Sequence, residues 1–183
     1  MIKSFYLNNI VYYIAGSAAV VFALSYFFPA LFQIGGLILV LLAIAIFIDA
    51  LLVYSKRNGI RAERLVSERF SIGDSNKVVI NLVNQYAFNV RASIIDELPV
   101  QFQERNWLKR VQLGSGAEFD LEYALRPTSR GEYIFHAINV FVHAPLKLVK
   151  RRYIFPKEQV VKVYPSYMQM RRYQLLAVSN RLQ

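Results

Sequence analysis

The chain has 183 residues, a formal net charge of +10 and no cysteine. The length fits one domain of ordinary size plus one short additional element. The lack of cysteine excludes a disulfide scaffold and a thiolate metal site. The excess positive charge lies after residue 55, since Lys3 and Asp49 are the only charged residues before that point.

An uncharged apolar stretch between Lys3 and Asp49 is divided by Pro29. The apolar segments on either side of Pro29, residues 10–28 and 31–54, of which the second includes Asp49, would reach about 28 and 36 Å as helices, against a hydrocarbon core of about 30 Å. Helices that are apolar on all sides are typical of membrane spans. We therefore predict a transmembrane helical hairpin over residues 1–57.

The charged residues at the two ends of this hairpin predict its orientation. Lys3 precedes the first span, and the turn at Pro29 carries no charge. Four basic residues follow the second span: Lys56, Arg57, Arg61 and Arg64. The positive-inside rule then places both termini in the cytoplasm and the turn outside.

Asp49 is the one ionisable residue within a predicted span. An intramembrane carboxylate is by default a functional candidate. We instead expect Asp49 to reach the interface and meet Lys56 or Arg57, because an ion relay would need partners at similar depth. Close approach of the two helices is expected at small residues, namely Gly16, Ser17, Ala18, Ala19, Gly35, Gly36, Ala43 and Ala45.

After residue 57 the apolar residues alternate with polar ones, which is typical of strands. The clearest strands are predicted over residues 77–83, 90–95, 118–125 and 132–143, and further ones near 60–70, 107–113, 147–155 and 159–164. Frequent turns and the lack of helical periodicity favour an all-β antiparallel sandwich of immunoglobulin-like or fibronectin-like kind over residues 58–165.

The predicted strands place polar and apolar side chains on opposite faces. In strand 118–125, Glu118, Asp120 and Glu122 share a solvated face. Residues 132–143 are interpreted as a single long strand, with Ile134, Ile138, Val140 and Val142 on one face and Tyr133, Phe135 and Phe141 on the other. From residue 166 the period becomes helical, so residues 166–183 are expected to begin a helix that leads to a downstream domain.

Residue patterns that carry chemistry are missing from the sequence. His136 and His143 have an odd separation along the predicted strand, so they would face opposite sides and could not share a metal. No glycine-rich phosphate-binding motif occurs. We expect no catalytic residue, no metal and no cofactor, and therefore not an enzyme.

Basic residues cluster at both sequence ends of the predicted sandwich. We select seven as candidates for contact with anionic lipid headgroups: Lys56, Arg57, Arg61, Arg64, Lys150, Arg151 and Arg152. An evenly solvated basic surface is an equal alternative. Nucleic acid is disfavoured because no recognition module is present.

The pair Arg130–Gly131 is interpreted as structural. We expect Gly131 to adopt a turn conformation that a Cβ disfavours, and Arg130 to pair with the carboxylates of the 118–122 face.

With these segments in place, the chain resembles the membrane-anchored proteins of the family called domain of unknown function 58. The likeness lies in the order of hairpin, sandwich and basic helix, and in two short motifs, residues 127–133 and 161–165. The motif residues are Arg130, Gly131, Tyr133, Tyr164 and Pro165. Where the family often has Asp-Pro-Phe-Gly-Leu, this chain has Ala-Pro-Leu-Lys-Leu at residues 144–148.

The resemblance implies a role at the bacterial inner membrane. Family members usually continue into a von Willebrand factor A-like domain and are associated with MoxR-type AAA+ ATPases in the assembly of protein complexes. This chain is then expected to be a non-catalytic adapter or scaffold with a cytoplasmic sandwich. The alternative is a structural subunit of a transport or secretion complex that uses Asp49 in the membrane.

Overall fold

The computed structural model describes residues 4–104 and 107–165, in which two helices are followed by a β-sandwich. The elements are β1 Phe5–Leu7, α1 Asn9–Leu24, α2 Ala30–Tyr54, β2 Ile60–Val66, β3 Arg69–Ser71, β4 Asn76–Asn84, β5 Val90–Asp96, a 3₁₀ turn Val100–Phe102, β6 Lys109–Leu113, β7 Glu118–Leu125, β8 Gly131–Phe135, β9 Ile138–His143, β10 Val149–Phe155 and β11 Gln159–Tyr164. The helix expected from residue 166 lies outside the described residues.

The first helix is shorter than predicted. It ends at Leu24, and residues 25–29 form the connection, whereas helix had been expected up to residue 28. The Ser25 hydroxyl donates to the Phe22 carbonyl at 2.6 Å. Proline disfavours helical geometry in the residue before it, so the chain leaves the helix ahead of Pro29.

The two helices pack against each other near their connection. A Cβ on Gly35 would lie 3.1 Å from the Phe22 ring, so glycine permits close approach there. A Cβ added to Gly16 or Gly36 would meet open space. The prediction that these two glycines permit close approach of the helices is therefore wrong. α2 is long and apolar enough to cross a membrane, while α1 is a shorter apolar helix.

The strands form an antiparallel sandwich, as predicted, with one parallel pair. A five-stranded sheet has the order β1-β10-β9-β5-β6, and two three-stranded sheets have the orders β2-β4-β7 and β3-β11-β8. The β3–β11 pair is parallel. β1 precedes both helices and pairs with β10, so the N-terminal segment also contributes to the sandwich.

The core has two parts. The first lies between the five-stranded sheet and β2-β4-β7, where Ile80, Leu82, Ile94 and Val140 are fully buried. The second lies against β3-β11-β8 and is built around Phe70, Tyr133 and Phe135. Alternating apolar residues on strands that face each other explain both parts.

Residues 132–143 form two strands, and the prediction of one long strand is wrong. β8 pairs with β11, whereas β9 pairs with β5 and β10 in the other sheet. The chain crosses between the sheets at His136 and Ala137, where Glu97 exchanges backbone hydrogen bonds with both residues. The crossing shifts the alternation, so Tyr133 and Phe135 are buried in the second core and Ile138, Val140 and Val142 in the first.

β7 matches its prediction over residues 118–125. Leu125 is buried, Leu121 and Tyr123 are half-buried, and the carboxylates on the other face are exposed.

Candidate functional site: the helix–sandwich junction and a basic groove

The end of α2 is buried in the sandwich. Val53 has no exposed surface and packs against Ala144 and Val149, which flank the turn between β9 and β10. Only residues 55–59 separate α2 from β2. The helix is therefore in direct contact with the sheet. We call this contact region, between residues 49–57 and residues 144–151, the junction.

Asp49 holds the turn between β9 and β10 onto α2. One carboxylate oxygen accepts the Leu146 N–H at 2.9 Å, and the other accepts the N–H groups of Leu148 at 2.8 Å and Val149 at 3.2 Å. The side chain is fully buried. A buried carboxylate is stabilised when several N–H donors surround it. The expectation that Asp49 meets Lys56 or Arg57 is wrong, because these amides occupy it instead.

Arg151 satisfies the carbonyl groups at the end of α2. It donates to the carbonyls of Val53 at 2.9 Å, Lys56 at 2.7 Å and Arg57 at 3.0 Å. Its guanidinium also lies 4.5 Å from the Tyr54 ring centroid. The last carbonyls of a helix lack helical partners and carry partial negative charge, so a cation placed there stabilises the helix end.

Tyr86 also binds the end of α2. Its hydroxyl donates to the Val53 carbonyl at 2.7 Å and lies 2.6 Å from the Tyr153 hydroxyl. Burial, followed by the Tyr153 hydroxyl, raises the pKa of Tyr86 above its usual value. Gly59 lies beside this ring, where an added Cβ would be 2.1 Å from the ring carbon that bears the hydroxyl.

Arg64 belongs to the sandwich interior and not to a membrane surface. Its side chain is fully buried and forms an ion pair with Asp96, with one N–H···O distance of 3.1 Å. The Tyr123 hydroxyl donates to the same carboxylate, and burial, with Asp96 next, raises the pKa of Tyr123. The proposed lipid contact of Arg64 is therefore wrong. Exposed and buried positions alternate along a strand, and the sequence does not show which positions are buried.

A groove of about 790 Å³ opens on the outer face of the five-stranded sheet. Four cationic side chains line it: Arg91, Arg110, Lys147 and Lys150. His143 and Ser93 lie between them, and Ile95, Phe141 and Leu108 supply apolar surface. Among the described residues, none of the four cations forms an ion pair with a carboxylate. We call this feature the basic groove.

The sheet register places basic residues directly beside one another. Arg91 is opposite His143, and His143 is opposite Lys150. In the next row Arg110 is opposite Ser93. Burial first, and then the neighbouring cations, lowers the pKa of His143 below its usual value. Near neutral pH an uncharged imidazole therefore lies between Arg91 and Lys150, and no two of the four cations are directly opposite each other.

Lys147 adds an unfavourable feature at the rim of the groove. Its backbone has a φ of 62°, and this left-handed conformation costs a non-glycine residue about 1–3 kcal/mol. The Asn8 side chain donates to the Lys147 carbonyl at 2.7 Å, and Asn8 caps the start of α1. The groove therefore lies directly beside the first residue of α1.

The remaining candidates for lipid contact lie in different environments. Lys56, Arg57 and Arg61 are exposed, and the Lys56 ammonium donates to the Gln85 carbonyl at 2.6 Å. Arg152 donates to the Asn139 side chain at 3.0 and 2.7 Å. Of the seven candidates, Lys150 lies in the basic groove.

Sequence reasoning did not select Arg91 and Arg110. Both lie on the polar faces of strands, and only the sheet order places β5 between β6 and β9. The sequence does contain one indication of a basic site. The polar-face residues of these two segments include no carboxylate: Arg91, Ser93, Arg110 and Gln112.

The motif residues have structural positions. Gly131 has a φ of 139°, which confirms the expected turn conformation. The Tyr133 hydroxyl donates to the Ser129 carbonyl at 3.1 Å, as in the tyrosine corner of immunoglobulin-like domains. The Tyr164 carbonyl accepts the Ile72 N–H, and the Arg69 guanidinium lies over the Tyr164 ring. Pro165 directly follows β11.

The expected partners of Arg130 are paired elsewhere. Asn81 donates to both Glu118 and Asp120, and Glu122 pairs with Lys77. The predicted pairing of these carboxylates with Arg130 is therefore wrong.

The two histidines lie on different segments and not on one strand. His136 is at the crossing between sheets, 3.6 Å from Glu158, and His143 ends β9. Within residues 4–104 and 107–165 no group of three or more histidine, aspartate or glutamate side chains is arranged to hold a metal ion.

A comparison with protein-family models gives no match, and neither does a comparison with curated proteins. Among solved structures, the chain is similar to the CARDB domain of the PF1109 protein from Pyrococcus furiosus, with 15% identity, 57% of this chain and 87% of that chain covered, and a TM-score of 0.38. It is also similar to the ASH/PapD-like domain of human CEP192, with 13% identity, 59% and 87% coverage, and a TM-score of 0.41. A beta-glucosidase from Listeria innocua has 14% identity over 58% of this chain and 16% of its own length, with a TM-score of 0.33. All three TM-scores lie below 0.5.

Proposed function

We propose that this protein is a membrane-tethered, non-catalytic adapter that holds its β-sandwich at a fixed position on the cytoplasmic face of the bacterial inner membrane. The observation that carries this proposal is the junction. Asp49 binds three amides of the sandwich, and Arg151 binds three carbonyls at the end of α2.

The junction leaves little freedom between helix and sandwich. In the connection, Arg151 holds the Lys56 and Arg57 carbonyls, and the Gly59 N–H donates to the Tyr153 hydroxyl at 3.3 Å. A flexible linker would instead leave its backbone groups to water. The sandwich would therefore move with the helix, as a scaffold that presents a surface at a fixed height requires.

The lengths of the two helices support a membrane hairpin. Residues 30–48 precede the junction and reach about 28 Å, while the 16 residues of α1 reach about 24 Å. Phe27 and Phe28 continue the apolar surface into the connection. Exposed apolar side chains along α2, such as Phe32 at 64% and Phe47 at 64% exposure, form a surface that favours lipid over water.

The orientation and the partner class come from the sequence. Lys56, Arg57 and Arg61 follow α2 and are exposed, which favours a cytoplasmic sandwich under the positive-inside rule. The resemblance described above supplies the partner, a MoxR-type AAA+ ATPase. Catalysis would then reside in the partner.

The alternative role in transport or secretion depended on Asp49 acting inside the membrane. Both Asp49 oxygens accept backbone N–H groups of the sandwich, so we do not propose that role.

The adapter proposal is tested by cross-linking the full-length chain in membranes, purifying it in detergent and identifying associated proteins by mass spectrometry. We expect an AAA+ ATPase of the MoxR type, recovered in smaller amount with Asp49→Ala, which loosens the junction. Asp120→Asn changes a carboxylate on β7, away from the junction, and should recover as much as the unaltered chain. Repeated failure to recover such an ATPase with the unaltered chain would overturn the partnership.

A further inference from the structure

We propose that the basic groove binds the phosphate headgroup of an anionic phospholipid in the membrane leaflet next to the sandwich. This inference rests on the proposed membrane tether. It goes further in assigning a defined binding site, formed by residues of five different segments, where the tether alone requires no more than a general positive charge.

The charge of the groove indicates an anionic ligand. Arg91, Arg110, Lys147 and Lys150 line it, and among the described residues no carboxylate neutralises them. Elsewhere in the same sandwich, Lys77, Lys157 and Lys162 each lie beside a glutamate. Cations that are left unpaired within one concave site provide a field complementary to a phosphate.

Charge and backbone strain coincide in this groove. Arg91 and Lys150 flank His143 in one row of the sheet, and Lys147 has a left-handed backbone. The left-handed backbone costs folding free energy, and the cations gathered in one site repel one another. Strain of this kind is concentrated at functional sites, and a bound anion would offset the repulsion.

The position and the apolar surface of the groove favour a lipid over other anions. Tyr6, Leu7 and Asn8 form its end, and α1 begins at Asn9. If the helices span the membrane, this end lies at the height of the headgroups. Ile95, Phe141 and Leu108 provide apolar surface beside the cations, which suits the glycerol and first acyl carbons next to a phosphate. An acidic peptide would not require the site to adjoin a membrane helix.

The test uses the full-length chain in detergent, titrated with phosphatidylglycerol and observed by native mass spectrometry. The double variant Arg91→Gln/Arg110→Gln should bind about 30-fold more weakly, because each basic residue close to anionic lipid contributes a factor of about five. Its matched control is Arg126→Gln/Arg130→Gln, which removes the same charge from exposed residues outside the groove and should leave the affinity unchanged.

A second variant tests the site without the risk that the double variant misfolds. Lys147→Gly relieves the left-handed backbone, so it should preserve or increase stability, yet it should weaken binding about five-fold. The imidazole signal of His143 offers a further readout. A phosphate among the cations should raise the pH at which His143 titrates.

Several results would overturn the assignment. Equal binding of phosphatidylcholine would show that net negative charge is not recognised, and equal losses in the groove and control variants would show that the groove is not the site. Inorganic phosphate that binds as tightly as phosphatidylglycerol would identify free phosphate as the ligand. A poly-glutamate peptide that binds while phosphatidylglycerol does not would identify a protein partner. Because lipid binding is measured in detergent, these outcomes do not depend on the membrane topology or on the ATPase partner. A failure of the proposed function can therefore be distinguished from a failure of the lipid site.

Discussion

Replacing Asp49 should open the contact between α2 and the sandwich. Its carboxylate accepts three backbone N–H groups, and those of Leu148 and Val149 are buried. In Asp49→Ala, both buried donors lose their acceptor, and each unsatisfied buried donor costs about 1–3 kcal/mol. The expected loss is therefore about 2–6 kcal/mol of the free energy that closes the junction.

The milder substitution Asp49→Asn should have an intermediate effect. The single amide oxygen can keep the two bonds to Leu148 and Val149, while the new NH₂ group faces the Leu146 N–H. One hydrogen bond to a charged acceptor is then lost, at about 1.5–3 kcal/mol. The free energy that closes the junction should therefore decrease in the order unaltered chain, Asp49→Asn, Asp49→Ala. This order follows the number of amides that retain an acceptor.

Hydrogen exchange of the backbone amides of residues 144–149, measured by mass spectrometry on the detergent-solubilised chain, reports this opening. At a factor of ten for each 1.4 kcal/mol, Asp49→Ala should accelerate exchange about 30-fold to 10⁴-fold. The Asp120→Ala variant, which makes the same chemical change on the exposed face of β7, should exchange like the unaltered chain at residues 144–149. Unchanged protection in Asp49→Ala would refute the role given to this carboxylate.

Three further predictions concern the sandwich and junction. Gly59→Ala drives a Cβ into the Tyr86 ring and should cost about 1–3 kcal/mol or more, seen as a lower thermal midpoint, whereas Gly36→Ala meets open space and should not lower it. Arg64→Ala leaves Asp96 buried without its cation and should lower the free energy of unfolding by denaturant by about 3–5 kcal/mol. Asp96→Ala removes the same ion pair, so the double variant should lose clearly less than the sum of the two single losses. Strict additivity of these losses would refute the ion pair. His143 has a pKa below the usual 6.5 in the folded state, so the unfolded chain binds more protons just below pH 6.5 and stability should fall as the pH drops through that window and then level off. His143→Asn should remove this dependence, and an unchanged pH profile would contradict it.

Local patterns in the sequence were sufficient for many of the elements. β7 alternates regularly and lies at its predicted residues, and α2 coincides with the second apolar segment apart from one residue at its start. In both, the residues that define the element are neighbours in the chain, so periodicity alone locates them.

Features that depend on distant parts of the chain could not be predicted in this way. The break at His136 arises because β8 and β9 pair with different sheets. Likewise, the amides that bind Asp49 lie about 100 residues further along the chain, and the buried Arg64 pairs with Asp96, 32 residues away. The basic groove needs the order of five strands before its cations become neighbours.

The central claim is that the hairpin crosses the membrane and leaves the sandwich in the cytoplasm. Because the chain has no cysteine, single-cysteine variants can be labelled with a membrane-impermeant maleimide on spheroplasts. We predict that Phe27→Cys, in the connection between the helices, reacts in intact spheroplasts, and that Thr128→Cys, in the exposed loop between β7 and β8, reacts only after lysis. Labelling of Thr128→Cys in intact spheroplasts, with Phe27→Cys protected, would contradict the cytoplasmic adapter.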